Sequence, residues 1–255
     1  MIRKFAYRAK LYFFGWLRLR KDLHIFKSSQ KSSVSSSSFQ FGKSIPIYSD
    51  FKDSAGGGAG GHYFHQDLFF AREIYRENPI HHSDLGSRID GFIAHLATFR
   101  AVNVFDIRSL DMDIQGVTFS QLDIMDTDRV ASMPKIESLS CLHTAEHFGL
   151  GRYGDRINFD GWDIGLKNLT SLLVPGGRFY FSVPIGVEQR IEFNAHRIFN
   201  PKFMTERLMQ DFDIVKTAAV RDDGNLDLSA DFTSSEFHSN FDDNYGCGFW
   251  VLSKR

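Results

Sequence analysis

The sequence predicts an α/β fold: a doubly wound sheet of seven strands that is mostly parallel and ends on an antiparallel strand. Two observations predict it. From residue 80 onward, short apolar runs alternate with stretches of helical periodicity, the pattern of a parallel sheet covered on both faces. The last two runs, Phe212–Val220 and Gly248–Leu252, have no room for a crossover helix between them, so we expect these strands to pair antiparallel.

Each element follows from its own stretch of sequence. The first helix of this region should end before Asn78-Pro79, because the residue before a proline disfavours helical geometry. The predicted helices are His62–Arg76, Arg88–Phe99, Gly161–Leu173 and Pro201–Met209. The remaining predicted strands are Ile80–Leu85, Val102–Asp106, Val117–Phe119, Leu139–Leu142 and Arg178–Val183.

Composition divides the chain into three parts. Residues 1–27 are predicted to form a basic amphipathic helix, residues 28–61 a linker rich in serine and glycine, and residues 62–255 the α/β domain. Within the domain, residues 221–245 contain seven acids and no lysine. We interpret this stretch as either a lid over a ligand or a solvated loop, because loops of this length in compact domains are often functional.

The helix predicted over residues 1–27 carries eight Lys or Arg and one acid. Its apolar side chains fall near one face: Ile2, Phe5, Ala9, Tyr12, Phe13, Trp16 and Leu23. Such a helix can lie among anionic lipid headgroups, can dock on a protein surface, or can be a transit peptide. No stretch reaches the roughly 20 apolar residues of a membrane span. We therefore expect a cytoplasmic protein, with peripheral contact at the inner membrane face through residues 1–27 as one alternative.

The rest of the chain argues against several classes of protein. Residues 28–255 have a net charge of −8, so nucleic-acid binding, which needs a basic surface, is not expected. Cys141 and Cys247 are the two cysteines of the sequence, and they have neither the number of a disulfide framework nor the spacing of a metal motif. A reducing, intracellular compartment follows from this cysteine usage.

A candidate cofactor site lies where the first predicted strand of the domain turns into a helix, in the sequence SDLGSRIDG. A glycine there lets a ligand approach the backbone, and exposed amides at the helix start bind its polar groups. The candidates in this turn are Asp84, Gly86 and Ser87. Asp106 ends the next strand, where a carboxylate can accept both ribose hydroxyls of an adenosine. Asp123, one strand later, is placed to bind the adenine amino group.

Two cofactors compete for this arrangement. A nicotinamide dinucleotide needs G-x-G-x-x-G so that its pyrophosphate can rest on the helix start, and Arg88 occupies the second glycine position here. S-adenosylmethionine has no pyrophosphate and tolerates that replacement better. The antiparallel last strand also differs from the all-parallel sheet of dinucleotide-binding dehydrogenases. The expected cofactor is S-adenosylmethionine.

The chain resembles the class I S-adenosylmethionine-dependent methyltransferases, which have a Rossmann-like fold, and most closely domain-of-unknown-function family 268. The stretches that carry the resemblance are GGHYFHQD, DLGSRIDGF, FDIR, EHFGLGRYGD, VPGGRFYFSVP and FNAHRIF, between Gly60 and Phe199. The resemblance implies the fold and the cofactor. It says little about the substrate, although such relatives are associated with surface-polysaccharide biosynthesis.

Candidate catalytic groups follow the fourth strand, at the sheet edge where open α/β folds bind ligands. His147 is the candidate base, and Glu146 is expected to orient it or to contact the cofactor. The alternative is a helix-start acid beside a packed histidine. A metal site of His143, His147 and Asp123 is conceivable, but this spacing is common by chance, so no metal is expected.

Two further segments supply candidate binding residues. Tyr63 and Gln66 can bind the amino-acid end of the cofactor, or their helix can simply pack on the sheet. His196 and Arg197 follow the fifth strand, in a position that commonly faces substrate. The predicted function is methyl transfer to a hydroxyl of a glycan or related small molecule. A non-catalytic binding or scaffold protein and a nicotinamide-dependent sugar-modifying oxidoreductase are the alternatives.

Overall fold

The computed structural model describes residues 2–31 and 60–255, which belong to two separate units. The first unit contributes one helix, α1 (Ile2–Lys31). Ser28 to Lys31, the first residues of the predicted linker, form the end of this helix, and residues 32–59 of that linker lie outside the described residues. Among the residues that the structure describes, no helix combines the length and apolar character needed to cross a membrane.

The second unit, residues 60–255, alternates strands with helices. Its helices are α2 (Gly61–Glu77), α3 (Ala94–Ala97), α4 (Thr127–Ala131), α5 (Gly161–Leu172), α6 (Pro201–Leu208) and α7 (Ser235–Asn240). Its strands are β1 (His82–Leu85), β2 (Val102–Asp106), β3 (Val117–Gln121), β4 (Ile136–Leu142), β5 (Leu173–Ile185), β6 (Arg190–Glu192), β7 (His196–Ile198), β8 (Phe212–Val220), β9 (Leu226–Asp227) and β10 (Gly246–Lys254).

Eight strands form the main sheet, in the order β3-β2-β1-β4-β5-β10-β8-β9. The pairs among β1 to β5 are parallel, and β10 pairs antiparallel with both β5 and β8. The predicted α/β fold with an antiparallel last strand is confirmed. The eighth strand is the two-residue β9, which pairs with β8 at the edge and was not predicted.

The core has two parts, one on each face of the sheet, because successive side chains of a strand point to opposite faces. In β5, Phe179 and Phe181 belong to one buried cluster and Tyr180 to the other. In β10, Trp250 joins the first cluster and Phe249 the second. Helices α5 and α6 pack on the first face, and α2 with α3 on the second, so the sheet is covered on both sides.

The segment after β1 differs from the predicted helix Arg88–Phe99. It begins with one π-helical turn, Ile89–Ile93, and continues as the short helix α3. At Gly91 the backbone meets α2 so closely that an added Cβ would lie 2.3 Å from Oδ2 of Asp67. The wide turn is thus packed directly beneath α2.

Candidate functional site

The turn that follows β1 depends on a glycine. Gly86 has a φ of +75°, a left-handed conformation that residues with a Cβ rarely adopt. A Cβ at this position would also lie 2.4 Å from Cγ2 of Thr144. The amide of Gly86 donates to the carbonyl oxygen of Phe105, which ties the turn to the end of β2.

Asp84 holds this turn from inside the protein. Its carboxylate is fully buried and accepts hydrogen bonds from the amide and the hydroxyl of Ser87, at 2.9 and 2.6 Å, and from the hydroxyl of Ser140. Burial raises the pKa of Asp84 to about 6, although these hydrogen bonds oppose the shift. Asp84 does not line the cavity described next, and Ser87 and Ser140 use three of its acceptor positions, so direct binding of the cofactor by Asp84 stays a prediction that this arrangement does not favour.

A cavity of about 480 Å³ opens at the carboxyl ends of β1 to β4. Gly86, Ser87, Asp106 and Asp123 all line it, as the sequence predicts. Ser87 lines the cavity, but its amide and hydroxyl already donate to Asp84 and are not available as hydrogen-bond donors to a ligand. The apolar part of the lining includes Leu110, Phe119, Leu122, Ile124 and Met125.

Asp106 is paired with an arginine from the same loop. Arg108 donates from Nε to Oδ1 at 2.9 Å, from Nη2 to Oδ2 at 2.7 Å, and from its amide to Oδ1 at 2.8 Å. The guanidinium also lies 4.5 Å from the ring centroid of Tyr153, across the cavity mouth. A carboxylate has about four acceptor positions, so one position on Oδ2 of Asp106 is left for another donor.

Tyr63, from the first turn of α2, also contributes to the cavity. It lines the cavity, its ring packs 4.9 Å from that of His143, and the guanidinium of Arg88 lies 4.8 Å from its centroid. Arg88 in turn binds the carboxylate of Asp90. The Arg88 side chain therefore lies against Tyr63 at the rim.

Gln66 does not reach the cavity. Its side chain is buried beneath α2, where Oε1 accepts from the hydroxyl of Ser182 at 2.6 Å and Nε2 donates to Asp67. Contact of Gln66 with a cofactor stays a prediction that this arrangement does not favour, because its amide is used by Ser182 and Asp67 and does not line the cavity.

His147 faces the cavity from the short 3-10 turn Ala145–His147. Its Nδ1 is 2.7 Å from the carbonyl oxygen of Ala195. Because a carbonyl oxygen only accepts, Nδ1 carries the hydrogen, and Nε2 holds the lone pair of the neutral ring. Burial lowers the pKa of His147, which favours that neutral form.

Glu146 is fully buried and does not line the cavity. One carboxylate oxygen makes a very short contact with Nδ1 of His143 and lies 3.6 Å from Nε2 of His147. Burial opposes ionisation, but the neighbouring His143 lowers the pKa of Glu146, and this carboxylate raises the pKa of His143. The hypothesis that Glu146 orients His147 or contacts the cofactor stays a prediction: the carboxylate lies near both histidines, closer to His143, while the Ala195 carbonyl accepts from Nδ1 of His147.

His196 and Arg197 also lie outside the cavity lining. Arg197 is buried, and its guanidinium donates to the carbonyl oxygens of Phe148 and Phe159. These hydrogen bonds join two parts of the segment between β4 and α5. His196 stacks on Tyr245 and lies 3.3 Å from the carboxylate of Glu192. The guanidinium of Arg197 is thus used by backbone carbonyls, and substrate contact by His196 and Arg197 stays a prediction.

Sequence reasoning missed one convergence of side chains. His62, His143 and Cys247 lie on three different elements, yet each offers a donor atom within 4.8 Å of the other two. Their separation along the chain gives no spacing motif. The available signal was topological: the start of an antiparallel β10 must meet the ends of the parallel strands.

Solved structures share this fold at low sequence identity. The N-methyltransferase NodS from Bradyrhizobium japonicum WM9, in complex with S-adenosyl-L-homocysteine, is 9% identical, with a TM-score of 0.50 over 76% of this chain and 88% of NodS. The [4+2]-cyclase SpnF is 13% identical, with a TM-score of 0.51 over 74% of this chain and 81% of SpnF. These two names describe different reactions, so the likeness shows the fold alone.

Family membership rests on a different comparison. No curated protein matches the sequence at a significant level. The sequence model of the family described as "Caenorhabditis protein of unknown function, DUF268" matches residues 100–246, more than half of the chain. The matched region includes β2 to β9 and therefore Asp106, Asp123 and His147. The chain belongs to the DUF268 family and has the fold of the class I S-adenosylmethionine-dependent methyltransferases.

Proposed function

We propose that this protein is an S-adenosylmethionine-dependent methyltransferase. The observation that carries the proposal is the cavity beside the Gly86 turn, whose lining combines the carboxylates of Asp106 and Asp123 with apolar side chains. These acceptors suit an adenosyl group, because Asp106 keeps one acceptor position for a ribose hydroxyl and Asp123 can accept from an adenine amino group, while the apolar lining packs on the base. Its volume of about 480 Å³ lies within the usual range for small-molecule sites.

The chain's own residues would bind and orient the reactants. The bound cofactor supplies an electrophilic methyl group on a sulfonium sulfur. Because methyl transfer is an in-line displacement, positioning is the main contribution of the protein. Nε2 of His147 is the basic atom suited to take the proton of an acceptor hydroxyl, since Nδ1 is fixed by the Ala195 carbonyl.

The acceptor class we propose is a hydroxyl of a glycan or related small molecule. A hydroxyl needs a base, and a neutral histidine at the cavity wall meets that need. A role in surface-polysaccharide biosynthesis is part of the proposal and is supported only by the family resemblance. The cytoplasm remains the proposed location.

The cofactor proposal is tested by thermal unfolding of the full chain with S-adenosylmethionine, S-adenosylhomocysteine or NAD. A ligand at 100 times its Kd stabilises the folded state by about 2.7 kcal/mol, which raises the Tm by roughly 5–10 °C for a domain of this size. We expect this shift with both sulfur ligands. A shift with NAD alone would contradict the proposal.

The transfer itself is tested with a cofactor carrying a radioactive methyl group. We expect radioactivity to appear in glycan or small-molecule acceptors, and heat-denatured protein is the control. If both sulfur ligands bind but no extract accepts the methyl group, the result would favour a binding or scaffold protein with the methyltransferase fold.

A further inference from the structure

Three side chains of types that can bind a metal ion converge at the carboxyl edge of the sheet. His62 lies in the first turn of α2, His143 directly follows β4, and Cys247 lies in the first residues of β10. One donor atom from each lies within 4.8 Å of the other two. His143 and Cys247 are buried, and of the three residues His143 lines the cavity, so the cluster adjoins the cavity through His143.

The ring of His143 is held by a buried carboxylate. Its Nδ1 contacts Glu146, and since an ionised carboxylate only accepts, Nδ1 carries a hydrogen. Nε2 is therefore the ring nitrogen of His143 that remains for a metal ion, and it faces Nδ1 of His62. A histidine whose second ring nitrogen donates to a carboxylate is the usual arrangement of a metal-bound histidine. The backbone of His143 has a φ of +54°, the left-handed region that non-glycine residues seldom occupy, and this conformation holds the ring in place.

The ring of His62 has the complementary orientation. Its Nε2 lies 3.2 Å from the carbonyl oxygen of Tyr245, so Nε2 carries the hydrogen and Nδ1 presents its lone pair. This Nδ1 is 3.1 Å from Nε2 of His143. Two lone pairs at that distance repel each other unless a cation lies between them, and that cation is either a proton or a metal ion.

The third donor distinguishes these two cations. A proton bridges two atoms, whereas a tetrahedral metal ion uses several donors, and the Cys247 thiol is the additional donor here. Two nitrogens 3.1 Å apart, each ~2.05 Å from an ion, subtend about 98° at it, which is close to tetrahedral geometry. Imidazole with thiolate is a donor set that Zn²⁺ prefers.

We propose that His62, His143 and Cys247 bind a divalent transition-metal ion of the Zn²⁺ type beside the cavity, which His143 lines. Cys247 loses its proton to solvent when the ion binds. Three protein ligands leave one tetrahedral position for water or another ligand, which is the coordination of catalytic zinc sites more than of structural ones. The site does not depend on the proposed methyl transfer, and it can be measured without any methyl donor.

The test titrates Co²⁺, as a spectroscopic substitute for Zn²⁺, into the reduced, chelator-treated full chain. We expect saturation at one Co²⁺ per chain, strong visible absorption from tetrahedral Co²⁺, a near-ultraviolet thiolate-to-cobalt band, and loss of both on addition of Zn²⁺. Cys247→Ser should abolish the thiolate band. Cys141→Ser, at the other buried cysteine, should keep it.

A second pair of variants avoids the buried strand. His62→Gln should weaken Co²⁺ binding at least tenfold, whereas His65→Gln, one turn further along α2 and also partly exposed, should not. Circular dichroism is used to check that both variants are folded. Absence of saturable Co²⁺ binding would overturn the proposal and leave a shared proton between the histidines. So would a spectrum that neither Cys247→Ser nor His62→Gln changes.

Discussion

The guanidinium of Arg108 binds the carboxylate of Asp106 through two parallel hydrogen bonds, Nε to Oδ1 at 2.9 Å and Nη2 to Oδ2 at 2.7 Å. Arg108 is half exposed, whereas the side chain of Asp106 is only 16% exposed. The pair fixes the direction of the Asp106 oxygens at the cavity mouth, and Tyr153 supports the arginine from the far side. A ligand with two hydroxyls must therefore use the remaining acceptor position or displace the guanidinium.

The buried carboxyl of Asp84 makes stability depend on pH. Its pKa is raised from 3.8 in an unfolded chain to about 6 when folded, so the folded protein keeps a proton that the unfolded chain loses. Its contribution is complete below pH 3.8 and falls as the pH rises toward 6, by on the order of 3 kcal/mol. In the Asp84→Asn variant the side chain at this position cannot ionise, so its stability does not fall with pH for this reason.

Urea unfolding of wild type and Asp84→Asn at pH 4 and pH 7 measures this effect. The free energy of unfolding of the variant, relative to wild type, should increase between the two values. Asp128→Asn, in the exposed first turn of α4, is the control for losing a carboxylate at the surface. A relative free energy of Asp84→Asn that does not change with pH would show that the carboxyl is not perturbed.

Gly86→Ala should destabilise the turn for two separable reasons. The positive φ costs an alanine on the order of 1–2 kcal/mol, and the contact of its Cβ with Thr144 adds about 1–3 kcal/mol. Gly176→Ala is a matched control, because Gly176 has a φ of +76° with nothing within 4 Å of an added Cβ. In thermal unfolding, the Tm of Gly86→Ala should be clearly lower than the Tm of Gly176→Ala. Equal losses would mean that the close approach to Thr144 carries no energy.

His147→Gln should lower the rate of methyl transfer about 10²–10⁴-fold, the usual contribution of a general base, without changing the affinity for S-adenosylhomocysteine. His81→Gln, at an exposed position before β1, is the control. Because burial lowers the pKa of His147 from 6.5, the wild-type rate should fall only on the acid side of pH 6.5, where the ring gains a proton. A His147→Gln rate within a few-fold of wild type would remove His147 from the reaction.

Much of the fold could be predicted, because periodicity and turn residues report local structure directly. The apolar runs located β1 to β5, β8 and β10, and the predicted antiparallel pairing of the last two is confirmed, although their connection over residues 221–245 contains β9 and the short helix α7. The insertion of β10 between β5 and β8 could not be read in the same way, since strand order depends on contacts distant in sequence. The hairpin of β6 and β7 lacked a long alternating run.

The predicted site residues fall into two groups, those that line the cavity and those that are buried away from it. Residues at strand ends, such as Asp106 and Asp123, line the cavity because the edge of a parallel sheet exposes them there. Asp84, Gln66 and Glu146 instead turn inward, where buried polar groups must find partners in serine hydroxyls, carboxylates and imidazoles. Sequence spacing does not distinguish a carboxylate that faces a ligand from one that supports its neighbour.

The affinity of Asp106→Asn for S-adenosylhomocysteine tests the central claim most directly, by isothermal titration calorimetry on the full chain. Hydrogen bonds to a charged group contribute about 1.5–3 kcal/mol each, so binding should weaken at least tenfold relative to wild type. Asp111→Asn, an exposed acid of the same loop, should bind as wild type does. Equal affinity of Asp106→Asn and wild type would contradict the account, because the adenosyl group would then not be held at this cavity by Asp106.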